Sequence, residues 1–308
     1  MRSAMTTTTP APTTARPPAL IEWLTPAITQ RQQQIWQAWT GVVLAGYLII
    51  RALPLTSFVG TWQPVGVLTV LSGPLPNFLL WILWALSLAG ALQLAARVRS
   101  SLPTTSLLAR TMWWAGPVAL VILLSHRSSG GQILWFDILP VLHVVAIAAA
   151  GIRFDAIRSG WAMRLAALMT TITYVLAGVA KLRLGGTAWI AEGALERHIV
   201  WAATRLDVLG GTPSPVAAPL VDLGLASVPL ALAVVVIELS APVALFSRRF
   251  AWGWSIAAWS MHLFIAITLF VLFHWPLFGV AFAPLVLLHR RGESERAQVS
   301  PSVDIGHT

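Results

Sequence analysis

Residues 78–96 read FLLWILWALSLAGALQLAA, nineteen residues without one charged side chain. An α-helix rises about 1.5 Å per residue, so a run of this length matches the ~30 Å hydrocarbon core of a bilayer. The stretch predicts a transmembrane helix, and similar runs recur on both sides of it. They occupy residues 35–53, 112–125, 133–152, 161–180, 223–246, 250–270 and 275–288. The runs at 112–125 and 275–288 are short for a span. The fold class expected is therefore all-α, a polytopic membrane bundle of about eight spans.

Composition agrees with that reading. Of 308 residues, 57% are apolar and 10% charged, and the mean hydropathy is +0.76, far from the balance of ordinary soluble domains. The net charge of +9 does not mark a nucleic-acid binder, because the basic residues are spread thinly between apolar runs. They orient helices instead. With the N-terminus inside, fourteen of the twenty basic residues fall on the cytoplasmic side, as the positive-inside rule requires. The expectation is a multi-pass protein of the plasma membrane with both termini cytoplasmic. Cysteine is absent, which excludes disulfides, thiolate nucleophiles and Cys-ligated metal or iron-sulfur sites. The histidines show no metal-binding spacing, and no metal is expected.

Residues 1–34, rich in Thr, Pro, Gln and Arg, contain no apolar signal-peptide core and read as a disordered cytoplasmic tail. Residues 290–308 read likewise. The membrane domain is assigned to 35–289. Within it, 182–215 stands apart, because GTAWIAEGALERHIVWAATRLDVLGG (186–211) mixes apolar and charged residues at helical spacing. It is too polar to span and is expected to lie at the outer interface, with Trp189, Leu195, Ile199 and Trp201 as its apolar side. Pro213, Pro215 and Pro219 end it. The sequence holds sixteen tryptophans. Most of them, including Trp36, Trp113 and Trp275, fall near span ends and read as an aromatic belt. Trp81, Trp84, Trp254 and Trp259 lie deeper and could wall a pocket for a flat apolar ligand.

An ionisable group at membrane depth costs roughly 2.5 to 3.5 kcal/mol at a helix centre, so each one asks for a partner or a task. Five candidates pass that filter: Lys181, Glu238, His262, Asp137 and His143. Lys181 is the only lysine, against nineteen arginines. Either residue can anchor a helix end, but arginine cannot give up its proton, whereas a neutral lysine is a general base. Glu238 and His262 fall at mid-depth on consecutive spans, where an acid can fix the tautomer of an imidazole. The competing reading is a polar contact that holds the bundle together. His126, His274 and His289 fall at helix ends.

The run 174–182, YVLAGVAKL, followed by Trp189 and Gly193, resembles the signature around the catalytic lysine of vitamin K-dependent gamma-glutamyl carboxylase. It is similar also to the wider bacterial HTTM (horizontally transferred transmembrane) group. Downstream, 237–242 (IELSAP) resembles the family's acidic-Leu-Ser-Ala stretch, His262 falls at the expected distance, and 278–284 (FGVAFAP) takes the place of the closing Gly-Phe motif. The family's second lysine, directly before the catalytic one, is here Ala180. The resemblance implies a helical membrane enzyme in which a reduced, vitamin K hydroquinone-like quinone is oxygenated with O2 near the outer face. The strong base so formed takes a proton from glutamate, and CO2 adds to the carbanion. Carried over, Lys181 deprotonates the hydroquinone and His262 is an active-site polar group. Tyr174, Trp189 and Glu238 support them, and the earlier-span histidine of the family corresponds to His126 or His143. The implied partners are the lipid bilayer, a quinone and a protein substrate; no nucleic acid is expected. The alternative is a non-catalytic scaffold or a quinone- or lipid-binding subunit of a larger complex. A transporter ranks third, since Asp137, Glu238 and His262 are few for a polar path and no internal repeat is visible.

Overall fold

The computed structural model describes residues 19–289 except 59, 100–106, 131–137, 209, 213 and 223–226. The chain opens with α1 (Ala19–Leu24) and α2 (Gln30–Ile50). Thr29 starts α2 with a capping box: its hydroxyl accepts from the Gln32 N–H at 3.2 Å, while its own N–H donates to Gln32 Oε1 at 2.7 Å. Within the stretch expected as a tail over 1–34, residues 19–24 and 30–34 are helical and Gln32 and Gln33 are buried. After α3 (Ala52–Thr56) come α4 (Asn77–Ala95), α5 (Leu107–Ser129) and α6 (Ile138–Ala150). Next is α7 (Ala156–Gly185), capped by Asp155, whose carboxylate accepts from the Arg158 N–H at 2.7 Å. The short α8 (Ala188–Ala191), α9 (Ala194–Val208) and α10 (Ala217–Val221) lead into α11 (Ser227–Ser240), α12 (Arg248–Leu269), α13 (His274–Leu277) and α14 (Ala283–Leu288).

Among the described residues, five helices are long and apolar enough to cross a bilayer: α4, α5, α7, α11 with its 3-10 extension to Leu245, and α12. The chain is an integral membrane protein on that ground. The run at 112–125, short in sequence, lies inside the 23-residue α5. The other three expected spans take different forms. The first is the 21-residue α2, whose opening turn is polar. The fourth overlaps α6, of which Ile138–Ala150 are described, about 20 Å of helix, while 133–137 lie outside the described residues. The eighth divides into α13 and α14 around a turn at Gly279, whose φ of +72° suits a residue without a Cβ.

Inside a bilayer helices gain little from the hydrophobic effect, so close packing and interhelical hydrogen bonds must join them. Glycines provide the first. A Cβ on Gly90 of α4 would fall 2.9 Å from the Cα of Gly116 on α5, and one on Gly41 of α2 would fall 2.3 Å from the Ala95 nitrogen. Tryptophans provide the second. Indole N–H groups of Trp84, Trp113 and Trp254 donate to Leu48, Ala148 and Ile237 carbonyls at 2.8, 3.1 and 2.7 Å. Each acceptor lies in the last turn of a neighbouring helix, where carbonyls are in surplus. The belt reading fails for Trp36, Trp113 and Trp275, which are buried in the core rather than set at its rim.

α9 lies against the bundle through its buried residues Ala194, Ile199 and Ala202, and the two alanines let the helix approach closely. Trp201, expected on its apolar side, is 62% exposed, with the Arg205 guanidinium 5.6 Å from its ring. An outward Trp-Arg pair is suited to a headgroup region. Ser227 at the start of α11 donates to the Glu196 carboxylate and fastens α9 in place.

Candidate functional site

One face of α7 organises the polar interior. Thr170, Tyr174 and Lys181 are spaced by four and seven residues, which places them in one narrow wedge of the helix, spread over ~16 Å of its length. Each meets a partner from another helix. At the C-terminal end, the Lys181 ammonium and Glu238 Oε1 on α11 form an ion pair of 2.5 Å. The Lys181 side chain is 25% exposed and that of Glu238 only 6%. The approach is possible because Gly178 intervenes: a Cβ there would meet Leu239 Cδ2 at 2.9 Å and the Glu238 Cβ at 3.1 Å. Trp189 on α8 folds back over Gly185 and sets its ring 5.4 Å from the ammonium, in cation-π range.

Two turns deeper, the Tyr174 hydroxyl and His262 Nε2 on α12 share a hydrogen bond of 2.6 Å. Trp254 and Phe282 pack on the Tyr174 ring at 5.0 and 6.2 Å, and Phe273 packs on His262 at 4.9 Å. Phe282 comes from the FGVAFAP segment, which thereby closes one wall of the site. The second oxygen of Glu238 and the second nitrogen of His262, Oε2 and Nδ1, are buried and have no hydrogen-bond partner among the described residues.

The five residues singled out in the sequence, Lys181, His262, Tyr174, Trp189 and Glu238, thus gather along one helix face, but in a different pairing. Glu238 bonds Lys181 and not His262, and His262 takes Tyr174 instead. Of the two earlier-span histidines, His143 on α6 belongs to this region: its Nε2 lies 2.9 Å from Thr170 Oγ1. His126 does not. It is buried at the end of α5, where its Nε2 accepts from the Leu75 N–H at 3.1 Å between Phe58 and Trp62. Asp137 lies outside the described residues. Of the four deeper tryptophans, only Trp254 reaches the site. Trp84 pairs with Trp81 on α4 at 5.4 Å, and Trp259 donates to the Leu277 carbonyl at 2.8 Å.

Thr170 escaped the sequence reading although its spacing from Tyr174 and Lys181 marks it. A hydroxyl is cheap enough in a membrane helix that the cost of burying ionisable groups does not mark it.

The arrangement can hold and move protons. A lysine and a carboxylate at 2.5 Å can exchange a single proton, and a tyrosine bonded to an imidazole can do the same. No family model, curated protein or solved structure matches the chain.

Proposed function

We propose that this integral membrane protein is a quinol-dependent enzyme of the carboxylase-like HTTM type, with Lys181 and Glu238 as its proton-transfer centre. The observation that carries the reading is the 2.5 Å pair between Lys181 and Glu238. A lysine accepts a proton only when its own has left, and the adjoining carboxylate is the place to which it can go. A proton passes from Nζ to Oε1, and the freed amine takes the hydroquinone proton, breaking one O–H bond and forming one N–H bond. The unpartnered Glu238 Oε2 remains to accept a hydrogen bond from the substrate. Trp254 supplies an aromatic wall, and Tyr174 with His262 supplies a polar contact deeper in. The quinone class, O2 as oxidant and CO2 as co-substrate come from the motif resemblance around Lys181. The placement proposed is the plasma membrane, termini cytoplasmic, Lys181 toward the outer face.

The test supplies purified protein in detergent with a reduced naphthoquinone and oxygen, and follows hydroquinone loss. Turnover by the wild type and its loss in Lys181→Arg are expected; an equally active arginine variant, or an inactive wild type, would overturn the proposal.

One observation favours the second reading, a non-catalytic scaffold or lipid-binding subunit. The same ion pair joins α7 to α11 over Gly178 and could serve only as a clamp. On that reading Lys181→Arg keeps the protein's behaviour and the protein co-purifies with a partner.

A further inference from the structure

Below the Tyr174–His262 pair the polar groups continue. Thr170 Oγ1 donates to the Ala281 carbonyl at 3.0 Å, which uses its only proton. It must therefore accept from His143 at 2.9 Å, so Nε2 of His143 carries the hydrogen and, in a neutral ring, Nδ1 carries a lone pair. That Nδ1 is buried without a partner among the described residues. The His143 ring sits between the rings of Trp36 and Trp275, at 6.4 and 6.1 Å, and both indole N–H groups are also buried and unpartnered. On α2, Thr40 Oγ1 and Gln37 Nε2 are in the same condition. All five side chains belong to residues no more than 1% exposed.

A buried polar group left unpaired costs about 1–3 kcal/mol, and native folds carry few of them. Five such groups, His143 with its two indole neighbours and the α2 pair, call for a guest that both donates and accepts. Two indole donors, an amide, a hydroxyl and an imidazole lone pair suit water, which binds buried sites with two to four such partners.

The polar row also has a direction. Gln33, Gln37 and Thr40 share one face of α2, at spacings of four and three residues, and all are buried. Arg164 donates to the Trp23 carbonyl at 3.0 Å, and Gly160 abuts the Pro26 carbonyl, where an added Cβ would fall at 1.8 Å. These contacts place the start of α2 at the Ala156 end of α7, opposite Lys181. The α2 row therefore begins at one end of the bundle and meets the α7 row at Trp36, His143 and Thr170, and the α7 row leads on to Lys181.

We propose that this row, with water bridging its members, is a proton path that connects the Gln33 end of the bundle with the Lys181–Glu238 pair. Each hop breaks one O–H or N–H bond and forms the next, so that one proton enters at one end and one leaves at the other with no redox change. His143 is its midpoint: it takes a proton at Nδ1 as its Nε2 proton passes to Thr170 Oγ1, and the Thr170 hydroxyl turns its own proton from the Ala281 carbonyl to water, which carries it on to Tyr174, His262 and the Glu238 carboxylate. The path requires these side chains and the water between them and does not depend on the quinol chemistry.

The full chain is reconstituted in phosphatidylcholine vesicles that hold potassium and a pH-sensitive dye. Valinomycin then imposes an inside-negative potential, and no quinone is present. Proton entry several-fold faster than in protein-free vesicles is expected for the wild type, falling to the protein-free rate in His143→Phe. Thr170→Val, similar in shape, gives the same loss, and a cooperative thermal unfolding transition shows that this variant stays folded. A wild-type rate equal to that of protein-free vesicles, or undiminished entry in both variants, would overturn the proposal. Because the assay contains no quinone, its failure leaves the hydroquinone assay to decide the quinol reading separately.

Discussion

The Glu238 carboxylate meets the Lys181 ammonium at 2.5 Å and ties α11 to the end of α7. The two residues are 57 positions apart in sequence, and a glycine, Gly178, lets their helices close on each other. Breaking a fully buried pair from one side costs about 3–5 kcal/mol. Lys181 keeps a quarter of its side chain exposed, so Glu238→Gln should cost less, on the order of 2 kcal/mol, seen as a lower thermal unfolding midpoint in detergent. Adding Lys181→Met to Glu238→Gln should recover part of that loss. A double variant as unstable as the sum of the single ones would show that the two groups are not coupled.

Tyr174→Phe keeps the ring packed between Trp254 and Phe282 but removes the hydroxyl from His262. The imidazole is then left with both nitrogens buried and unpartnered, a loss of about 1–3 kcal/mol. His262→Phe in the Tyr174→Phe background should be milder than in the wild type, which a double-mutant cycle on unfolding midpoints would reveal.

Helix contact through glycine predicts a sharp positional contrast. Gly116→Ala places a Cβ 2.8 Å from the Gly90 Cα and should destabilise by about 1–3 kcal/mol, as overpacking does. Gly46→Ala on α2 meets nothing within 4 Å and should be neutral or stabilising by up to about 1 kcal/mol from helix propensity. Equal effects at the two sites would contradict the α4–α5 packing described.

Two histidines outside the spans set a pH dependence. His274 is held below its ordinary value by burial and then by the nearby Arg51. His289 is pushed down chiefly by burial, against the upward pull of its bond to the Ala244 carbonyl, and further down by Arg164 and Arg248. In both cases the unfolded chain binds a proton more readily than the folded one, so stability is full above about pH 6.5 and declines as pH falls below it. The unfolding midpoint in detergent should drop from pH 7 toward pH 5, and His274→Gln with His289→Gln should flatten that slope.

Much of this was legible in the sequence, for physical reasons. Apolar runs such as 78–96 announce a span because lipid demands them, and Lys181, Glu238 and His262 announce a site because their cost in lipid demands a partner. Which partner each would take was not legible. Glu238 reaches Lys181, and not His262, because of the rotation of α11 against α7 at Gly178, and no local pattern encodes that angle. Trp36 and Trp275 resembled belt residues because position along a helix is visible in sequence, whereas the side that faces the core is not when every side is apolar. Thr170 and the α2 glutamines were passed over since each alone is inexpensive; they matter only as a row, and the row exists only once α2, α6 and α7 are packed.

The central claim, that Lys181 is a base, is tested most directly by chemical rescue. In Lys181→Ala the reduced-quinone reaction should be lost and should return when small primary amines are added, with rates that rise with amine basicity. A Lys181→Ala protein that turns over hydroquinone as the wild type does, or one that no amine restores while its fold is intact, would contradict the account.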